Sequence, residues 1–190
     1  VSPEKIARVV SDASPLVILA RIGLLSLLEK LFGEVHVPQA VYDEVVPSEP
    51  EEEERPGSRE VAQARSQGWL RVHPTPPPEE LRRYRRPGLS RADASVIALA
   101  VRQRADVVLA DERALRRALQ ARGFRVVGVG GLLLRAKERG LLPSVREPLE
   151  RARREGLRIH PALVERILRE AGELPEPESE SESERGSASH

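Results

Sequence analysis

Three features of this sequence predict an α/β fold with a mostly parallel sheet and helices on both faces. Short apolar runs alternate with segments of helical periodicity along most of the chain. Two of those runs, 8–11 and 106–110, lead directly into an aspartate, Asp12 and Asp111. Pro or Gly marks most of the joints between run and helix. Open α/β sheets place their ligands beyond the carboxyl ends of the strands. Acids at those ends are therefore candidates for function from the start.

The first strand is expected over residues 8–11, with Asp12 at its end. After a turn, Pro15 opens a helix, since its fixed φ already suits the first helical position. Asp12 or Ser14 reads equally well as the cap of that helix. The segment 24–32 is helical and largely apolar, stopped by Gly33. Val35-His36-Val37 forms a second strand, and Pro38 opens the next helix. There Glu44 shares a face with Ala40 and Val41. It lies near the helix C-terminus, where the macrodipole disfavours an anion. A locally costly placement of this kind marks a candidate functional residue.

Residues 47–57, rich in Glu and Pro, read as an acidic turn-rich insertion that is expected to be mobile. Residues 58–67 look helical up to Gly68, 69–72 form a strand, and Pro74 with Pro76 to Pro78 makes a stiff connector. Arg82-Arg83-Tyr84-Arg85-Arg86 sets four cations around one aromatic ring. That pattern suits phosphate contacts with a base stacked on the ring, and equally a solvated helix end.

Ser90 and Asp93 approximate a capping box, with Asp where Glu or Gln is usual. The helix behind them is small and apolar, of the type that packs on a sheet. The strand 106–110 repeats the Asp12 arrangement by ending on Asp111, which could also cap the helix 112–121. A further strand is expected at 124–129. Gly128, Gly130 and Gly131 then read as a tight turn into a helix at 132–139, because neither G-x-G-x-x-G nor G-K-[ST] spacing is present. Two basic amphipathic helices, 144–155 and 161–171, are each closed by a glycine. From 173 the Pro, Glu and Ser run predicts a disordered acidic tail, leaving 1–172 as a single domain without internal repeats.

Composition narrows the chemistry. The 190 residues contain no Cys, which excludes disulfides, thiolate metal sites and a Cys nucleophile, and fits a reducing cytoplasm. No apolar run approaches the roughly 20 residues of a membrane span, and no signal peptide is evident at Val1. High Arg and Glu without Cys or Met leans towards a thermophilic source. A net charge of +1 conceals a strong asymmetry, since residues 81–160 carry 20 Arg and Lys against 8 Asp and Glu. Such a section presents either a polyanion-binding face or solvated helix faces paired with Glu. The histidines at 36, 73, 160 and 190 are far apart in sequence and lack metal-ligand spacing, so each is expected to be structural or exposed. No G-x-S-x-G turn supports a serine nucleophile.

Asp12, Glu44, Asp93 and Asp111 remain. If the strands bearing Asp12 and Asp111 are neighbours, both acids emerge at one edge, and the helices of Glu44 and Asp93 can reach the same mouth. Clustered anions raise one another's pKa unless a cation compensates. Hard oxygen donors suit Mg²⁺ or Mn²⁺ rather than Zn²⁺. With a basic face nearby, phosphodiester hydrolysis is the natural chemistry. A phospho-receiver fold would also set acids at strand ends, but it wants a Lys after the last strand, and 124–131 has none.

These residues carry a resemblance. V-V-S-D-A-S-P-L (9–16), V-P-Q-A-V-Y-D-E-V (37–45), L-S-R-A-D-A-S-V-I-A-L-A (89–100) and V-V-L-A-D-E-R-A (107–114) resemble the PIN-domain family of VapC-like ribonucleases. The segments 126–145 and 167–173 resemble one uncharacterised prokaryotic branch of it. The resemblance implies a PIN-like α/β/α sandwich and a Mg²⁺- or Mn²⁺-dependent endoribonuclease acting on single-stranded or structured RNA. Asp12 and Asp111 would be metal ligands, Glu44 would hold metal directly or through water, and Asp93 would complete the ring. Ser14, Arg82, Arg83, Tyr84, Arg85, Arg86 and Arg113 would contact RNA. A homodimer and an inhibitory antitoxin partner are implied as well, in the cytoplasm and away from any membrane. Two departures stand out: Ala110 replaces a small polar residue common in relatives, and Asp93 stands where that branch commonly has Glu. The alternative is a catalytically silent module of the same fold that binds RNA or protein.

Overall fold

The structure, a computed structural model, describes residues 7–47 and 55–174. Residues 48–54 of the expected acidic insertion and 175–190 of the expected acidic tail lie outside the described residues, while Glu173, expected to open that tail, is described. In chain order the elements are β1 (Val9–Ser11), α1 (Ala13–Arg21), α2 (Leu27–Phe32), β2 (Val35–Pro38), α3 (Gln39–Val45), α4 (Ser58–Gln67), β3 (Leu70–His73) and α5 (Pro78–Leu81). They continue with α6 (Arg91–Gln103), β4 (Val107–Leu109), α7 (Arg113–Gln120), β5 (Val126–Val127), α8 (Val129–Glu138), α9 (Arg146–Arg154) and α10 (Pro161–Glu170).

The five strands form one all-parallel sheet in the order β3-β2-β1-β4-β5. β1 and β4 are buried at every position, as parallel strands covered by helices on both faces must be. α6 lies against β1 and β2, with α3 beside it, and α1 packs against α4, α8 and α9. Leu and Val with small Ala fill the core, as a chain with so few aromatics requires.

The strand order decides where a ligand can sit. The chain builds outward from β1 through β2 to β3, then returns to the other side of β1 with β4. The switch point between β1 and β4 opens a crevice at their carboxyl ends. Val9, Val10 and Ser11 pair with Val107, Val108 and Leu109, and the Asp12 N–H donates to the Leu109 carbonyl at 2.9 Å. Asp12 and the residues after β4 are thereby fixed side by side.

Several joints differ from expectation. α1 starts at Ala13 straight after β1, with Pro15 as its third residue and no intervening turn. Proline is tolerated there because the first-turn N–H groups have no intrahelical partner. Pro78, the last residue of the expected connector, is the first residue of the short helix α5. Gly130 and Gly131 belong to the first turn of α8 rather than to a loop. A Cβ on Gly130 would come within 2.6 Å of Ile167 Cδ1, so this glycine serves the close approach of α8 and α10.

His36 and His73, far apart in sequence, meet in space. The β2–β3 register places them on adjacent strands, and His36 Nδ1 lies 2.8 Å from His73 Nε2. Burial lowers both pKa values, and for His36 the His73 charge adds to it. One ring nitrogen donates to the other in a bond that joins β2 to β3, a structural role.

A clasp closes the C-terminal end. The Glu173 carboxylate accepts from Lys137 Nζ at 2.8 Å, Ser144 Oγ at 2.9 Å and the backbone N–H groups of Val145 at 2.6 Å and Arg146 at 2.9 Å. Burial opposes its ionisation, but these donors outweigh it and bring the pKa down to about 2. Glu173 thus ties α8 to the start of α9.

Candidate active site

Asp12 stands at the centre of the switch-point crevice. It occupies the N-cap position of α1 in extended conformation, yet its side chain makes no capping hydrogen bond to the helix. Simple capping therefore does not account for it. The residue is 5% exposed. Burial raises its pKa to about 7 against the pull of the Ala13 backbone N–H, and the charges of Asp93, Glu44 and Glu112, in that order, push it further up.

Glu44 projects from the last turn of α3, mostly open to solvent. Partial burial raises its pKa, Asp93 adds to the rise, and Arg55 opposes it. Arg55 also donates to the Asp43 and Glu44 carbonyls at 3.0 and 2.6 Å, covering carbonyls that a helix end leaves unpaired. Asp93 completes the capping box of α6: its Oδ2 accepts from the Ser90 N–H at 2.7 Å while Ser90 Oγ accepts from the Asp93 N–H at 3.0 Å. Asp93 Oδ1 carries no hydrogen bond among the described residues. The local and the functional readings of Asp93 are thus compatible, one oxygen for each.

Asp111 behaves differently. It does not cap α7, whose N-cap is Glu112. Its Oδ1 accepts from the Val129 N–H at the start of α8, 3.1 Å away, and its Oδ2 is buried with no partner. Burial raises its pKa to about 6, opposed by the Val129 bond and by Arg116. Arg116 in turn donates to the Ala110 carbonyl at 2.7 Å. The carboxylate beyond β4 whose charge reaches Asp12 is Glu112, exposed on the crevice side. Sequence reading missed Glu112 because it sits beside a more conspicuous acid. Its adjacency to Asp111 after an apolar strand was the available signal.

Ser14, Asp111, Glu112, Arg113 and Arg158 line a cleft of about 500 Å³ at this mouth. The run 82–86 lies elsewhere, on the turn after α5. Tyr84 packs inward on the small cluster of Leu81, Ala94 and Ala98, with the Arg122 guanidinium 6.0 Å from its ring centroid. Its ring is therefore engaged by the protein, while the arginines around it are exposed.

Among the described residues, no three or more His, Asp or Glu side chains stand close enough together to hold a metal ion as they are placed. The donor chemistry nevertheless fits a hard divalent cation. Asp12 is buried and repelled by the charges of Asp93, Glu44 and Glu112, a repulsion that a cation would relieve, and every donor is oxygen.

The all-parallel sheet thus carries acids at its switch point, beside arginine-lined clefts. A family model described as a PIN domain matches residues 8–173, and the chain belongs to the PIN-domain family. PIN domains are generally nucleases that use divalent metals. No curated protein matches the chain. Among the described residues, no helix is long and apolar enough to cross a membrane.

Proposed function

We propose that this protein is a metal-dependent endoribonuclease that hydrolyses phosphodiester bonds of single-stranded RNA, with Asp12, Glu44, Asp93 and Glu112 around the reaction centre. One observation carries the reading: Asp12 is buried at the switch point, uncapped, under the negative field of the other three. Asp12, Glu44 and Asp93 would hold Mg²⁺ or Mn²⁺, which would supply a hydroxide at neutral pH and neutralise a phosphoryl oxygen. Asp12 supplies a rigid carboxylate anchored to β4 through its own N–H. Asp93 offers Oδ1 while its capping bond holds the side chain in one orientation. Glu112, exposed and free to change rotamer, can take a proton or a water at the open side. Asp111, expected from sequence to be a ligand, is assigned a positioning role, since its bond to Val129 fixes the turn that presents Glu112. Ser14 and Arg113 face the same cleft and would steady the phosphate.

The proposal extends to a toxin role with a homodimer and an antitoxin partner, which co-purification and sedimentation would test. The wide spacing of the acids favours a second reading, a binding module without catalysis. Calorimetric titration with Mn²⁺ separates the two. The nuclease reading requires saturable binding that Asp12→Asn abolishes, whereas absence of binding to the unaltered protein would support the module.

A further inference from the structure

Beside the acidic mouth runs a basic cleft. One part, of about 860 Å³, is lined by Arg113, Arg153, Arg154 and Arg158, with Glu150 its one carboxylate. A second part, of about 620 Å³, adds Arg116 and Arg125, along with Asp111 and Glu170. Arg113 and Arg158 border both parts and also the cleft that reaches Ser14 and Glu112. The three are therefore one continuous path ending at the candidate active site.

Local structure explains how the arginines come together. Arg153 and Arg154 close α9, where the macrodipole favours cations. Gly156 then reverses the chain at φ +105°, a conformation that L side chains rarely adopt. The reversal buries Leu157 in the core and leaves Arg158 exposed on the cleft. Arg113 enters from the first turn of α7. Other arginines of the basic section are engaged: Arg102 pairs with Glu80, Arg151 donates to the Ile22 carbonyl and Arg139 to that of Leu31. Arg113, Arg153, Arg154 and Arg158 have no ion pair or side-chain hydrogen bond among the described residues. Uncompensated guanidinium groups along a concave path are the electrostatic footprint of a polyanion.

We propose that this path, between α7 and the α9–α10 connection, binds the backbone of a single-stranded RNA and leads it to the acids. The inference rests on the nuclease reading for its direction, but binding itself needs no metal. A concave cleft admits a strand that can bend into it, unlike a stiff duplex. The path also differs from the run 82–86, which the sequence made the more conspicuous candidate.

The test is fluorescence anisotropy with a labelled oligouridylate in EDTA, where no metal-dependent cleavage occurs. The full chain is compared with Arg153→Glu/Arg154→Glu/Arg158→Glu and, as a control of equal charge change, Arg82→Glu/Arg83→Glu/Arg85→Glu. The proposal expects the cleft variant to lose at least tenfold in affinity. Its dependence of log K on log salt should flatten by about 2, at roughly 0.7 for each phosphate of a single strand that is no longer neutralised. The control should change less than threefold. Equal losses in both variants, an unchanged cleft variant, or preferential binding of a polyglutamate peptide over RNA would each overturn it. Wild-type cleavage in Mg²⁺ is measured separately. Binding without cleavage would sink the nuclease reading and leave the path standing. Cleavage with unaltered KM in a well-folded cleft variant would do the reverse.

Discussion

Asp111 accepts the Val129 backbone N–H at 3.1 Å, a bond that joins the end of β4 to the start of α8 across 18 residues of chain. Its neighbour Glu112 is exposed on the same cleft, and the proposed function gives the two adjacent acids separate tasks. Glu112→Gln should lower metal-dependent RNA cleavage about 100-fold or more with little change in stability, the range for loss of a group acting on protons. Asp111→Asn keeps an acceptor for Val129 and should stay within about tenfold. Asp111→Ala should destabilise by about 1–3 kcal/mol in urea unfolding, because the Val129 N–H loses its partner. The reverse ranking of Glu112→Gln and Asp111→Asn would return Asp111 to the metal site.

Gly128 provides an independent check on that bond. Its φ of −98° is open to any residue, but an added Cβ would lie 2.5 Å from Asp111 Oδ1. Gly128→Ala should therefore cost about 1–3 kcal/mol by overpacking alone and displace Asp111. A Tm equal to that of the unaltered protein would contradict this packing.

Asp12 makes the metal-free protein sensitive to pH. Its pKa rises from an ordinary 3.8 to about 7 on folding, chiefly through burial, so the folded state binds the proton more tightly than the unfolded state. Stability is then full below about pH 4 as far as this group is concerned, and falls as pH rises through 7. Asp12→Asn should stabilise the protein in EDTA at pH 8 by about 1–4 kcal/mol, the upper figure being three pKa units at about 1.4 kcal/mol each. The gain should vanish near pH 4. Mn²⁺ affinity of the unaltered protein should climb over the same interval, since a ligand must lose its proton to bind.

Glu173 has the opposite sign. Its pKa falls to about 2 on folding, so its contribution is present above about 4.5 and is lost as pH drops towards 2. Glu173→Gln should lower Tm at pH 7 by several degrees and flatten the acid limb of the stability profile. Thermal melts from pH 2 to 7 check both points, and an unchanged acid limb would remove the clasp as a source of stability.

The sheet, and where each candidate acid sits on its element, were legible because their signals are local. Apolar strands ending on Asp12 and Asp111, the Pro38 joint before α3 and the Ser90–Asp93 box are all written in neighbouring residues. What was not legible depends on the meeting of distant parts of the chain. Whether an acid turns into the crevice or towards α8 depends on where Val129 lies, which no spacing near Asp111 reveals. The His36–His73 pairing follows from the β2–β3 register, and the need for glycine at 130 follows from the approach of Ile167 on α10. Likewise the arginines of α9 reach α7 only through the reversal at Gly156, so the continuous run 82–86 was the more visible basic feature.

Everything proposed for the crevice depends on whether the acids around Asp12 cleave RNA with a divalent metal. That is measured by the cleavage of end-labelled single-stranded RNA by the full chain with Mg²⁺ or Mn²⁺, alongside EDTA and Asp12→Asn controls. Internal cuts are expected that require metal and that fall by at least about 100-fold in Asp12→Asn. Undiminished cleavage by Asp12→Asn, or cutting that persists in EDTA, would contradict the nuclease reading.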